Sequence, residues 1–297
     1  MKAFSIFFVV IFGAALYGQG KAGAFLRRPV GSEMVAFGGA NAANVKDVNA
    51  IYANPAGLPE MIKYDLINQA QFYFSPQTLG RREVAAAYAR VFPTLFTVAV
   101  GAYQYAIDDI DGRDQYGFPT ETFSDQQSYF SLSIARDFHY FSAGVTAKYF
   151  THSLGAYTGT GVAFDAGARY APIRWVTLGV AAQNLGATVG WDTPTSREEE
   201  APMSLRFGVK IEQPWAPLTI VADGVQTTDQ DLAYAIGAEY RIIESFGFRA
   251  GFHNERFSFG GFAHHFMYGY LLQLQYAAAE DIVSAGLSHH VTLGVGF

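Results

Sequence analysis

The sequence predicts an all-β fold, a transmembrane antiparallel β-barrel of about 14 strands preceded by an N-terminal plug segment. Three observations carry that prediction: period-two alternation along most of the chain, a regular exchange of tight and long connections, and an aromatic content of 16%, with Tyr 18 and Phe 26. So many rings exceed what a water-soluble core uses. They suit a wall that shows aromatic side chains to lipid and to its interfaces.

The 297 residues divide into an expected signal peptide at 1–20, a plug or hatch at 21–61 and the barrel at 62–297. The opening text, MKAFSIFFVVIFGAALYGQG, has one Lys2 before an apolar run that ends near Leu16, with small residues at Gly18 and Gly20 where a peptidase could cut. That run is shorter than the ~20 residues a spanning helix needs, so export is the preferred reading over a membrane anchor. Cysteine is absent, and 50% hydrophobic against 15% charged residues excludes a disordered chain. A net charge of −6, without any cluster of Lys and Arg, argues against nucleic acid as a partner.

Strands are expected at roughly 62–74, 82–91, 94–106, 127–137, 140–150, 161–171, 173–185, 202–212, 217–225, 231–242, 246–253, 257–265, 268–278 and 286–297. In SLRFGVKIE, Leu205, Phe207, Val209 and Ile211 share one face, while Arg206, Gly208, Lys210 and Glu212 share the other. VAFDAGARY, LAYAIGAEYR and HHVTLGVGF repeat the pattern. One such strand would fit a soluble sandwich equally well; the number of them, and connections that alternate between tight and long, favour the barrel. The long connections, Ile107–Gln126 and Gly186–Ala201, are then external, and both chain ends are periplasmic.

Gly101, Gly144, Gly167, Gly179, Gly208, Gly237, Gly251 and Gly269 all fall on the polar, inward phase. Missing side chains there leave room for something inside, and a barrel this wide is not filled by its own side chains. The stretch DVNAIYANPAGL supplies a candidate, because Val48, Ile51 and Tyr52 are spaced as on a helix that Pro55 stops. Asn54, Pro55 and Ala56 are expected to form a turn in the lumen, the Asn54 amide satisfying freed backbone groups and Gly57 letting the chain swing into a first strand near Ile62.

Lys148, Asp165, Arg169, Arg206, Glu239 and Arg249 lie on the inward phase, where Lys148 with Asp165 and Glu239 with Arg249 are placed to pair across neighbouring strands. Their expected role is to stiffen the wall and anchor the plug. A polar path is the alternative, and a greasy pocket would have to be built by the plug from Phe25, Leu26, Phe37 and Ile51. Catalysis has little support: there is no G-x-S-x-G elbow and no convincing serine–histidine pairing. His264-His265 and His289-His290 are strand neighbours that point to opposite faces, so neither pair chelates a metal, and no cofactor is expected.

The text GAFLRRPVGSEMVAFGGANAANVKDVNAIYANPAGL resembles the N-terminal segment of the PorV/PorQ family, a branch of the FadL-like outer-membrane barrels. FSAGVTAKYF, VTLGVAAQNLG, MSLRFGVKI, FGFRAGF and HHVTLGVGF continue the likeness in order, so it spans nearly the whole mature chain. NPAGL alone is shared with FadL-type fatty-acid transporters. The resemblance implies a 14-stranded barrel with an N-terminal plug in the outer membrane of a Gram-negative-type bacterium. It also implies a non-enzymatic role in type IX secretion, with a translocon barrel or secreted sorting domains as protein partners docking on the external loops. The alternative is a FadL-like transporter for a hydrophobic small molecule. Either way, outer-membrane lipid and the barrel-assembly machinery are partners, Phe297 serving as the terminal assembly signal.

Overall fold

The computed structural model describes residues 23–64, 66–194, 197–281, 283–284 and 286–297, so the expected signal peptide lies outside the described residues. The strands are β1 (Asn68–Pro76), β2 (Arg81–Phe92), β3 (Phe96–Ile110), β4 (Phe123–Asp137), β5 (Phe141–Leu154), β6 (Tyr157–Ile173), β7 (Val176–Leu185), β8 (Thr188–Trp191), β9 (Glu198–Glu200), β10 (Ser204–Glu212), β11 (Leu218–Thr227), β12 (Ala233–Ile243), β13 (Phe246–His253), β14 (Arg256–Met267), β15 (Tyr270–Glu280) and β16 (Leu287–Gly296). All pairings are antiparallel, and they join strands consecutive in sequence except for β7 with β10, β6 with β8, and β1 with β16; with β1 on β16 and β5 on β6 the sheet closes on itself. β8 and β9 form a hairpin on the upper edge of β6, inside the expected long loop, which leaves fourteen strands in the wall.

Alternation fixes the two faces. Along β5, Ser142, Gly144, Thr146, Lys148 and Phe150 are buried inward, whereas Phe141, Val145 and Tyr149 are exposed outward. No helix among the described residues is long and apolar enough to cross a membrane; the wall crosses with strands. Connections at the end holding Asn68 and Phe297 are short, as at 93–95, 174–175 and 268–269, and aromatic side chains such as Phe96, Tyr140, Trp175, Tyr240 and Tyr270 ring it. The opposite end carries the long connections at 111–122 and 186–203. Short turns mark the periplasmic side of an outer-membrane barrel. The terminal residues close the seam: Asn68 N–H donates to Phe297 O at 2.7 Å, and Phe297 N–H to Asn68 O at 2.9 Å.

Two expectations are corrected. The first strand begins at Asn68, not near Ile62, because the helical text stops at Tyr52, ahead of Pro55, and Pro55 then starts a second 3-10 stretch, Pro55–Tyr64. Proline is pre-organised for a first helical position, where its missing N–H has no intrahelical partner to lose. Gly269 is not a lumen residue; with φ 84 it sits in the tight β14–β15 turn beside Tyr268.

Candidate functional site

The lumen is occupied by residues 23–64, folded as a 3-10 turn Ala24–Arg27, α1 (Ser32–Ala36), a 3-10 turn Val48–Tyr52 capped by Asp47, and the Pro55–Tyr64 stretch. The segment enters from the long-loop end. There Gly23 abuts Ala201, Arg27 donates to Gln230 at 2.7 Å, and Arg28 Nε donates to Glu83 at 2.8 Å. It leaves at the short-turn end, through Leu66 into β1.

The inward glycines are where its backbone touches the wall. A Cβ at Gly144 would meet Pro55, at Gly167 Asn54, at Gly179 Ala42, at Gly237 Phe37 and at Gly251 Gly38. Gly101 accommodates the Tyr52 hydroxyl, which donates to the carbonyls of Ala86 and Ala102 at 2.9 and 3.1 Å. Gly57 has no positive φ; its value is the close approach of Val45. Gly208 instead faces the Asp223 carboxylate.

Asn54 is fully buried. Its Nδ2 donates to Ala42 O at 2.6 Å and reaches Val180 O at 3.2 Å and Ala168 O at 3.4 Å, while Oδ1 accepts from Ala56 N–H at 3.1 Å. Ser142 Oγ holds Ala56 O at 2.7 Å. One amide therefore ties two passes of the plug to β6 and β7.

The inward charges are consumed by each other and by the plug. Lys148 Nζ lies 2.6 Å from Asp165 and donates to Asn184 Oδ1 at 3.2 Å. Asp165 also accepts from Asn184 N–H at 2.8 Å, at a point where the β6–β7 register slips and Asn184 has φ 59. Arg249 donates to Glu239 at 2.8 Å, to Gln275 at 3.0 Å and to the plug's Glu33 at 2.9 Å. Arg169 reaches Ala43 O at 3.1 Å and Glu60 at 3.2 Å, Arg206 donates to Gly39 O at 3.1 Å, and Asp223 accepts the N–H groups of Asn41 and Ala42, both at 2.7 Å. Alternation puts these side chains inside; it does not say that plug carbonyls and Glu33 are their partners. Gln69 and Gln71 join this set, and their inward phase is readable in NQAQF: Gln69 accepts from Val48 N–H at 2.8 Å, and Gln71 donates to Asp47 at 2.7 Å. Burial, with Glu33 nearby, pushes the Asp47 carboxyl up to about 6.

Beside these paired charges, the outer half of the lumen holds an apolar, aromatic cluster. Phe25, Leu26, Ile51 and Tyr52 pack with Tyr103, Tyr129 and Phe150, and Tyr129 stacks on Tyr103 at 5.1 Å. Phe37 lies apart, among Ala40, Val221 and Ala235, so the four apolar plug residues do not build one pocket. The open space is elsewhere. A cavity of about 380 Å³ lies between the plug and β12–β15, lined by Phe262, Phe266, Leu66 and Leu271 on one side and by Glu33, Asp47, Glu239 and Arg249 on the other.

One pairing not anticipated from sequence exists: Ser288 Oγ lies 2.9 Å from His290 Nε2, whose Nδ1 lies 2.8 Å from the Tyr73 hydroxyl, itself 3.1 Å from Glu83. The relay is buried and ends on a carboxylate already held by Arg28, so it braces the outer rim. His289 and His264 stand apart from it, and no cluster of three metal-ligating residues occurs among the described residues.

No protein-family model matches the sequence, and no curated protein matches it. Solved structures do. The CymD monoaromatic hydrocarbon channel superposes with a TM-score of 0.62 at 13% identity, over 90% of this chain and 97% of that one. A Pseudomonas aeruginosa FadL homologue gives 0.62 at 11% identity over 90% and 98%, and the Pseudomonas putida toluene transporter TodX gives 0.61 at 13% over 89% and 96%. The chain has the closed β-barrel fold of these FadL-type structures. Two of the three are named for transport, a hydrocarbon channel and a toluene transporter.

Proposed function

We infer that this barrel passes a hydrophobic small molecule across the outer membrane. The observation that carries the reading is the cavity of about 380 Å³ beneath the plug, within the size range of ligand pockets and walled on one side by Phe262, Phe266 and Leu271. Pairing of the lumen charges removes the objection that a charged interior excludes an apolar guest: Lys148, Asp165, Arg249 and Glu239 present ion pairs, not free heads. The probe is toluene, the cargo named for one structural neighbour. Its equilibration into proteoliposomes should be faster with the barrel than without it, and Leu271→Trp, which fills the cavity, should abolish the gain. Equal rates in wild type and variant would reject the assignment.

The PorV/PorQ-like reading, an escort for secreted proteins, draws support from the β3–β4 loop. Asp114 accepts from Tyr116 and Phe118 N–H, both at 2.9 Å, fixing a tip from which Tyr116 and Phe118 project at 77% and 67% exposure. A photo-crosslinker at Tyr116 on intact cells should then capture a translocon barrel or a sorting domain; adducts with neither leave the transport reading alone.

A further inference from the structure

We propose that the outward face of β2–β6 is a binding site for an outer-leaflet glycolipid, with an acyl chain in a wall notch and an uncharged sugar head on a row of hydroxyl and amide groups. The inference rests on the barrel's place in the membrane and is independent of what crosses the lumen.

The strands of this wall are long, 15, 15, 14 and 17 residues for β3, β4, β5 and β6, against 11, 8 and 12 for β12, β13 and β14. On the short side the outward phase stays apolar to the strand ends, at Tyr234, Phe252 and Phe257. On the tall side it changes character. Gln104, Ser128, Thr151 and Thr160 stand directly opposite one another in register, one per strand, in a single outward row about 15 Å long across four strands. Among the described residues, none of these four side chains makes a hydrogen bond within the protein. Polar groups aimed at a bilayer edge without protein partners are stable only where the surroundings supply partners.

The next row toward the membrane centre is Ala86, Ala102, Phe130 and Tyr149, again in register. Two small residues beside two large ones leave a notch of about 400 Å³, and its lining runs from Ala86, Ala102, Phe130 and Tyr149 up to Gln104, Ser128 and Thr151. The site is thus amphipathic along the membrane normal, in the order that an outer-leaflet lipid presents its own parts. Its polar half is lined by no charged side chain, and Arg82, the next residue of that phase on β2 beyond Val84, is already paired with Asp108. A phosphate or ammonium head would find no counter-charge there, whereas a polyhydroxylated head would find donors and acceptors flanked by aromatic rings.

The test uses the full chain extracted in an alkyl polyoxyethylene detergent and examined by native mass spectrometry. Dodecyl maltoside and dodecylphosphocholine, which share a chain and differ in head, then serve as displacing probes. The expected result is a retained glycolipid, displaced by the maltoside at about ten-fold lower concentration than by the phosphocholine. Ala102→Trp fills the notch and Gln104→Val with Thr151→Val strips the row; each should weaken maltoside binding about ten-fold while the unheated barrel keeps its wild-type mobility on gels. Equal displacement by both detergents, unchanged binding in both variants, or a retained mass that is only phospholipid or a second copy of the chain would overturn the proposal.

Discussion

Asn54 and Gly167 share one space: a Cβ on Gly167 would overlap the Asn54 side chain, whose amide bridges the plug's Ala42 carbonyl to Val180 and Ala168 in the wall. The glycine is there because the asparagine is. Gly167→Ala should displace the plug by overpacking, at about 1–3 kcal/mol, and Asn54→Ala should weaken it by a similar amount through unpaired buried carbonyls. Each should raise single-barrel conductance in planar bilayers, and the double variant should be no leakier than Asn54→Ala alone, since the two changes strike one contact. Additive leakage would show the contact is not shared.

Deleting residues 23–57 while keeping residues 1–22 should open the lumen to ions, because wall glycines and inward charges then face empty space. Conductance equal to that of the intact barrel would place the segment outside the lumen.

The buried Lys148–Asp165 pair predicts that either single change costs more than the double change. Lys148→Met or Asp165→Leu alone leaves an uncompensated buried charge and should cost about 3–5 kcal/mol in urea unfolding, whereas the double change should recover most of that loss. Asn184, bonded to both, loses one of its two bonds in either single variant.

Acidification should tighten the plug. The Asp47 carboxyl, at about 6 in the folded chain against an ordinary 3.8, binds its proton more readily when docked. Docking is therefore strongest below about pH 4 and weakens as pH rises through about 6, by roughly 3 kcal/mol in total. Bilayer leakage measured at about pH 5 should fall below that at neutral pH, and Asp47→Asn should flatten the difference. A wild-type profile without slope across that window would contradict the assignment.

Topology can be read on intact cells. A protease-sensitive tag at Asp111 or Glu199, in the long connections, should be cut, and one at Arg174 in the short β6–β7 turn should be protected; Pro172 itself lies within β6. Removing Phe297, which closes the seam with Asn68 through two backbone bonds and packs on Tyr270 at 5.9 Å, should reduce the inserted fraction.

What the sequence by itself determined is whatever alternation determines: strands, their two faces, their number, and the inward placement of Lys148, Asp165, Glu239 and Arg249. Period two is local, so it survives in a single chain without knowledge of neighbours. Register added the Glu239–Arg249 contact, since those residues stand directly opposite. Only the tertiary structure decided that Arg249 also takes Glu33, that Asp223 caps two plug amides, that Arg206 serves a plug carbonyl, and that Pro55 begins a 3-10 stretch. The physical reason is that the plug has no period of its own. Its conformation is set by which donors and acceptors the closed wall offers at each depth, and those positions exist only once the first and last strands have met.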